Sequence, residues 1–264
     1  MVISKMRLFW QNWFDSAVVT ASSSAADYPV AMLQNRWKHE ACGWRSTGLS
    51  AEWVIANLGS AKAVKGFVLE NMNLTAGATV ELGGHASDPT AVGAGATTYH
   101  LHITVTAAMV TAKRIVVTLA AAQTYQWWRL LVTDAGNGAG YLSASRIYLG
   151  PVFEPAGWGH GGPWTRVRES GSQVSYSQGG QASAVIGPKY WVYDLPISIL
   201  GQSDADAYAA IDDECGIDTP LWICRDSTAE VANTVYGLFL EHTPFPSIVS
   251  GTLWETTLKF REEL

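Results

Sequence analysis

Short runs in which apolar and polar residues alternate dominate the first 150 residues, and they predict β-strands. In Tyr99–Val105 the apolar side chains fall at every second position, which places them together on one face of a strand. Gly, Asn, Asp and Pro separate the runs. Their spacing of roughly ten to fifteen residues is typical of an antiparallel β-sandwich. The predicted strands are 16–22, 52–58, 63–70, 79–82, 99–105, 114–119, 125–133 and 143–149.

A second set of strand-like runs follows residue 164, together with one helical pattern. Ser203 is a good N-cap, Gly216 suits the position after a helix C-terminus, and apolar residues between them recur at helical spacing. These signals predict a helix at 204–215. The predicted strands of this region are 165–170, 173–177, 182–186, 190–199, 221–224, 234–240 and 253–260.

The chain is therefore expected to be all-β and to contain two domains. A β-sandwich domain spans 1–153, a Gly-rich linker spans 154–164, and a second β-rich domain with one short helix spans 165–264. Gly-rich segments are flexible, which favours the linker assignment.

Composition and charge support two globular units. Apolar residues form 48% of the 264 residues, and only 15% are charged, which is enough apolar mass for a large core. The net charge of −6 excludes a general nucleic-acid binder. Residues 1–150 carry 11 Lys/Arg against 8 Asp/Glu, a net of +3, whereas residues 151–264 carry 6 against 15, a net of −9. Such a division is typical of two domains with different surfaces.

Cysteine usage and hydropathy favour folding inside a reducing compartment. Cys42, Cys215 and Cys224 fit neither a disulfide framework nor a metal site, and an odd count indicates reduced thiols. Polar residues interrupt the first apolar patch, Leu8–Trp10, so no secretory signal peptide is expected. No run of 18 apolar residues exists, so no membrane span is expected either.

No constellation of catalytic residues is recognisable. The common nucleophile, phosphate-binding and zinc-protease motifs are absent from the sequence. His100 and His102 share one face of a predicted strand and could bind a metal as a pair, but two solvent-facing histidines are the preferred interpretation. The acidic residues of the predicted helix indicate a solvated face rather than a calcium loop. We therefore expect no enzyme activity, no metal and no cofactor.

Aromatic residues remain as the candidate chemistry. The chain contains 12 Trp, and an exposed aromatic plane bordered by polar groups can bind a sugar. Polar and aromatic residues in predicted turns supply the candidate glycan contacts, which are Tyr28, Trp37, His39, Asn71 and Asn73. The alternative for Trp37 is that it covers the end of the sandwich or meets a neighbouring subunit. Trp44, Trp53, Trp127 and Trp128 are expected in the core, with the side chains of the last two on opposite faces.

Residues 16–150 resemble the discoidin, or coagulation-factor type C, family. The resemblance is carried by an opening Ala17–Ser23 strand, the Trp44-Arg45-Ser46 turn, the strand beginning at Trp53, and the Trp128-Arg129 strand. It implies an eight-stranded jelly-roll sandwich of the galactose-binding type, whose loops at one end bind sugars, lipids or proteins. The implied roles are structural: Trp44 fills the sandwich and Arg45 pairs inside its turn. Many members carry a disulfide joining the domain ends, which this chain lacks.

Residues 165–264 are similar to bacteriophage tail-tip proteins, also called distal-tail or baseplate proteins. The similarity rests on Gly179–Gln181, Tyr190–Leu195, Thr219–Ile223, Tyr236–Leu238 and Leu253–Phe260. It implies a structural virion protein in a homo-oligomeric ring with other tail proteins, assembled in the host cytoplasm. The sandwich would then contact neighbouring proteins or host-surface glycans, and a ring would make weak single-site binding useful. The alternative is a stand-alone, lectin-like carbohydrate-binding module protein. Whether Trp222 and Leu253–Phe260 form core or interface stays open.

Overall fold

A computed structural model describes residues 5–37, 39–90, 98–156, 164–242, 247–249 and 253–263. The chain divides into two compact units. The N-terminal unit contains residues 8–153 together with 225–234, and the C-terminal unit contains 154–224, the residues from Val235 onward and the residues up to Arg7. Most of the predicted linker, 157–163, lies outside the described residues.

The described residues before 154 include ten strands, and almost all of the residues in these strands belong to the N-terminal unit. A short helix, α1 (Ala107–Ala112), precedes the seventh strand. A second short helix, Glu230–Asn233, lies in the segment 225–234 that also belongs to this unit. The strands are β1 (Arg7–Phe9), β2 (Val18–Ala21), β3 (Trp44–Arg45), β4 (Glu52–Glu70), β5 (Thr79–His85), β6 (Tyr99–Thr104), β7 (Arg114–Thr133), β8 (Ser143–Ala144), β9 (Arg146–Gly150) and β10 (Val152–Phe153).

Two of these strands are long and bent, which corrects the prediction of four shorter ones. Residues 52–57 of β4 pair with 132–127 of β7, and residues 66–70 pair with 118–114 of the same strand. The register shifts between Asn57 and Lys62, beside Gly59 at φ +76°. The exposed polar residues at this bend have the composition of a turn, so the sequence alone indicates an interruption. In the structure the strand continues through a bulge.

Because β4 and β7 bend together, each contributes to two layers of the sandwich. One layer has the order β2-β4-β7-β5-β6, and in the other layer β9 pairs with the second half of β4. The core between the layers includes Trp44, Phe67 and Trp128, which are 3%, 0% and 1% exposed. Burying a side chain of this size contributes about 1.5–3 kcal/mol. The predicted all-β class and sandwich architecture are confirmed.

The C-terminal unit is an antiparallel sheet with one substantial helix. Its strand order is β15-β16-β18-β14-β11, with β17 on β18 and a separate β12–β13 hairpin. The helix α2 spans Gln202–Cys215. The strands are β11 (Thr165–Ser170), β12 (Gln173–Tyr176), β13 (Ala182–Val185), β14 (Lys189–Leu200), β15 (Leu221–Cys224), β16 (Thr234–Phe239), β17 (Ser247–Val249) and β18 (Leu253–Glu262).

The predicted helix is present, but its N-terminus differs from the prediction. The N-cap is Gly201 rather than Ser203, and it makes no side-chain cap hydrogen bond. Gln202 instead donates to Asp206, 2.6 Å away and one helical turn along. This i, i+4 contact supports a helix that begins before the serine.

The tryptophan whose role was left open lies in the core of the C-terminal unit. Trp222 is fully buried and packs against Tyr236, with ring centroids 4.5 Å apart. Leu258 and Phe260 of β18 are also buried. In contrast, every residue of β12 and β13 is exposed.

Candidate functional site

Connecting segments from both layers gather at one end of the N-terminal sandwich. In the first layer, β2 and β7 end there, and β4 and β5 begin there. The segments 22–51, 71–78 and 134–142 leave or enter the strands at this end. Loops that a rigid sheet holds in this way are where binding residues are most often found.

Two tyrosines and an arginine from three different segments meet at this end. The guanidinium carbon of Arg45 lies 3.8 Å from the ring centroid of Tyr28 and 4.8 Å from that of Tyr141. All three residues are half-buried. Both distances are within the range of a cation–π interaction. We call Tyr28, Arg45 and Tyr141 the loop-end cluster.

Backbone hydrogen bonds hold the Tyr28 side of the cluster. The Arg45 amide donates to the Tyr28 carbonyl at 3.2 Å, and the Arg45 carbonyl accepts from the Ala25 amide at 2.8 Å. The Tyr28 amide in turn donates to the Ala25 carbonyl at 3.0 Å. The turn that carries Tyr28 is thereby fixed to the strand that carries Arg45.

Side chains of Asn73 and Ser46 hold the Tyr141 side. The Asn73 amide nitrogen donates to the Tyr141 carbonyl at 2.9 Å, and its oxygen accepts from the Ser143 amide at 2.7 Å. The Ser46 hydroxyl accepts from the Leu142 amide at 2.8 Å and donates to the Gly48 carbonyl at 2.6 Å. Tyr141 therefore lies in a loop fixed on both sides.

A buried carboxylate joins the loops beneath the cluster. Asp134 is 5% exposed and accepts from the Thr75 amide and hydroxyl at 2.8 and 2.7 Å. It also accepts from the Asn137 side chain at 3.1 Å, and that side chain donates to the Asn73 carbonyl. A buried carboxylate with several donors is a structural acceptor and is poorly placed to transfer protons to a ligand.

The five predicted glycan contacts do not all come together. Tyr28 belongs to the loop-end cluster, and Asn73 supports it with both polar atoms of its side chain. Asn71 directly follows β4 and adopts the left-handed region at φ +49°. Trp37 is 66% exposed, and His39 caps the short helix Glu40–Cys42 by accepting from the Ala41 amide. Among the described residues, no hydrogen bond, ion pair or ring contact joins Trp37 or His39 to the cluster.

The residues that carried the family resemblance fall into different environments. Trp44 is buried, and its indole nitrogen donates to the Ser23 carbonyl and the Ser24 hydroxyl at 3.0 and 3.1 Å. The described side-chain contacts of Arg45 are with the rings of Tyr28 and Tyr141, which lie outside the turn in which it was expected to pair. Trp53 was expected in the core but is half-buried, and the Arg129 guanidinium lies 5.8 Å from its ring centroid.

Trp127 and Trp128 differ in burial, as the alternation of side chains along a strand requires. Trp128 is 1% exposed and belongs to the core cluster, whereas Trp127 is half-buried. Successive strand residues face opposite sides, which accounts for the difference.

The prediction that His100 and His102 share a face is wrong. The β5–β6 register shifts beside His100, which breaks the period of two. The His100 ring lies 5.1 Å from that of Tyr125 and 6.1 Å from that of Trp128, whereas the His102 Nδ1 contacts the Glu81 Oε1 at 2.7 Å. Among the described residues, no group of three or more His, Cys, Asp or Glu could hold a metal ion.

Burial lowers the pKa of two histidines near this bulge. Desolvation lowers the pKa of His100. It also lowers the pKa of His85, with smaller contributions from the positive charges of Arg129 and His100. Both imidazoles therefore favour the neutral form in the folded protein.

The acidic helix of the C-terminal unit serves structure. The Asp212 Oδ2 contacts the His242 Nδ1 at 3.0 Å, and Asp204 accepts from the Ala156 amide at 3.0 Å. Burial, with neighbouring carboxylates led by Glu214, raises the pKa of the Cys215 thiol to about 12.

All three cysteines are free thiols. None of the described helices is long and apolar enough to cross a membrane.

Sequence reasoning missed Tyr141. It lies in the turn-like stretch 134–142, where it is the aromatic residue among Gly, Ala and Asn. An aromatic side chain in a polar turn at the loop end of a sandwich was the available signal. Its neighbour Arg45 is 96 positions away, so no local pattern joins them.

Comparisons with known proteins found similar solved structures only. No protein-family model matches the chain, and no curated protein matches it. A chitosan-binding module of a Paenibacillus chitosanase/glucanase is 20% identical, covers 53% of this chain and 99% of its own, and has a TM-score of 0.42. The lectin domain of lectinolysin complexed with Lewis B antigen is 13% identical, covers 53% of this chain and 95% of its own, and has a TM-score of 0.41. A Streptococcus pneumoniae fucose-binding module is 9% identical, covers 53% of this chain and 98% of its own, and has a TM-score of 0.41. With all three TM-scores below 0.5, the architecture rests on the strands described above.

Proposed function

We propose that the N-terminal unit is a non-catalytic carbohydrate-binding module whose ligand contacts the loop-end cluster. The observation that carries the proposal is the Arg45 guanidinium, held against two half-buried tyrosine rings where the sandwich loops meet. Aromatic rings offer flat apolar faces to the C–H surfaces of a sugar. A guanidinium offers several in-plane N–H donors to its hydroxyl and ring oxygens.

The arrangement is fixed before a ligand arrives. Asn73 and Ser46 hold the Tyr141 loop, and backbone hydrogen bonds hold the Tyr28 turn. A site whose loops are already ordered loses little conformational entropy on binding, which favours affinity from a small contact area.

The carboxylate that joins these loops is poorly placed for glycoside hydrolysis. A hydrolase needs two carboxyl groups on either side of the scissile bond. Asp134, the carboxylate beneath the cluster, is buried and accepts three hydrogen bonds from Thr75 and Asn137. This supports a role in binding rather than turnover.

The proposal is tested by measuring glycan binding to the full chain on an array, followed by titration of the best ligands. Tyr141→Ala and Tyr28→Ala should each weaken binding by about five- to 150-fold, because truncating an aromatic side chain that stacks on a planar ligand costs about 1–3 kcal/mol. Trp37→Ala is the matched control, because Trp37 is an exposed aromatic residue without a recorded contact to the cluster. Loss of binding in Trp37→Ala alone would move the site to that loop. The absence of any glycan ligand would refute the proposal.

The tail-tip role is a separate prediction and comes from the sequence alone. It expects a ring of identical subunits, virion partners and assembly in a host cytoplasm. Light scattering on the purified full chain would detect self-association, and analysis of purified particles would detect incorporation. A monomer that binds glycans and is missing from particles would favour the stand-alone module.

A further inference from the structure

We infer that the loop-end cluster selects carboxylated sugars, such as uronic acids, through a bidentate interaction with Arg45. This inference rests on the proposed carbohydrate-binding function and adds the chemical class of the ligand. It begins from a difference between Arg45 and other arginines of the same unit.

Two other arginines of the N-terminal unit already have carboxylate partners. The Arg114 Nε lies 3.2 Å from the Glu70 Oε1, and the Arg146 NH2 lies 2.7 Å from the Asp15 Oδ2. Within the described part of the chain, Arg45 makes no ion pair, and its recorded side-chain contacts are the two tyrosine rings. A guanidinium is charged at every accessible pH. Among the described residues, Arg45 therefore presents a positive charge that no carboxylate balances.

The described contacts of Arg45 leave its hydrogen-bonding edge available. They are cation–π contacts with two ring centroids, and no hydrogen bond of the guanidinium to another described residue accompanies them. A guanidinium carries five N–H donors within its plane, and the two rings engage none of them in a conventional hydrogen bond. That edge matches the two oxygens of a carboxylate, which a guanidinium binds in parallel.

Neighbouring carboxylates compete little with such a ligand. Asp134 is buried and hydrogen-bonded to Thr75 and Asn137. Asp27, which precedes Tyr28, is exposed and forms no ion pair with Arg45 among the described residues. Its negative charge opposes an acidic ligand without occupying the site. Asp27→Asn should therefore raise the affinity for an acidic sugar by a factor of about two to five.

The experiment compares tri-galacturonate with galactotriose, its neutral counterpart, by calorimetric titration of the full chain in 0.15 M NaCl. We expect tri-galacturonate to bind about tenfold or more tightly, the size of a charge-assisted hydrogen-bonded pair. Arg45→Gln should abolish the preference. Arg45→Lys keeps the charge but lacks the planar fork, so it should lose most of the preference. Unfolding temperatures of both Arg45 variants identify any loss of binding that comes from misfolding. Asp27→Asn serves as a second variant, because it leaves the residues of the cluster unaltered.

The outcomes separate the inference from the proposed function. Equal affinity for the two trisaccharides, unchanged in Arg45→Gln but reduced in Tyr141→Ala, overturns acidic selectivity and leaves carbohydrate binding intact. Equal binding of a galactose 6-sulfate oligosaccharide overturns selectivity for carboxylates in favour of anions in general. If no glycan of any class binds, both fail together.

Discussion

Asn73 should stabilise the fold although it looks from the sequence like a surface ligand contact. Asn73→Ala removes two side-chain hydrogen bonds, one to the Tyr141 carbonyl at 2.9 Å and one from the Ser143 amide at 2.7 Å. The backbone hydrogen bonds of residue 73 survive the change. At about 1 kcal/mol net for each lost bond, the free energy of unfolding should fall by about 2 kcal/mol. Urea unfolding followed by tryptophan fluorescence measures this difference.

Two matched variants test the reasoning behind that magnitude. Asn73→Asp keeps an acceptor for Ser143 but places a carboxylate oxygen against the Tyr141 carbonyl, so it should lose at least as much as Asn73→Ala, or about 2 kcal/mol or more. Asn71→Gly, on the same loop, should change stability by less than about 0.5 kcal/mol, because glycine readily adopts the left-handed conformation at φ +49°. A loss in Asn73→Ala no larger than that in Asn71→Gly would refute the structural role of the amide.

Two further predictions concern the opposite end of the sandwich. Gly84→Ala should destabilise the protein by about 1–3 kcal/mol in urea unfolding, because a Cβ there would lie 2.2 Å from the packed Tyr125 ring. Gly138→Ala, with nothing within 4 Å of its Cβ, should be nearly neutral, and equal losses would contradict the packing. Burial lowers the pKa of His85 and His100 from the usual 6.5. At mildly acidic pH these two histidines therefore bind more protons in the unfolded chain than in the folded protein. The contribution of these two groups to stability should therefore be constant well above pH 6.5 and decline as the pH falls through about 6.5. In a variant with both His85→Gln and His100→Gln, the free energy of unfolding should fall less between pH 7.5 and 5.5. An unchanged pH dependence would show that these two histidines do not cause the loss of stability.

Local sequence pattern determined the class of the fold and most of its elements. In the C-terminal unit, the predicted strands 165–170 and 221–224 coincide with β11 and β15, and the predicted helix differs from α2 only at its start. This agreement has a physical basis. Alternation of period two and helical spacing report which face of an element is buried, and a few neighbouring residues suffice to define them.

Where strands bend, the same local pattern was insufficient. The exposed residues around Gly59 resemble a turn, yet the pairing of β4 with β7 continues on both sides of them. The bulge beside His100 similarly reversed the side expected for that histidine. Both outcomes depend on the partner strand, whose register is not encoded in the run itself.

The candidate site shows most clearly what only the tertiary structure decided. The sequence indicated Tyr28 and the Trp44-Arg45-Ser46 turn as important, but it gave Arg45 a partner within its own turn. In the structure Arg45 meets Tyr28 and Tyr141, and Asn73 holds Tyr141 from 68 positions away. A sheet brings the ends of distant strands to one edge, so the chemistry at that edge depends on topology. Residue type and alternation specified the sandwich, while packing of its loops specified which distant side chains meet at that edge.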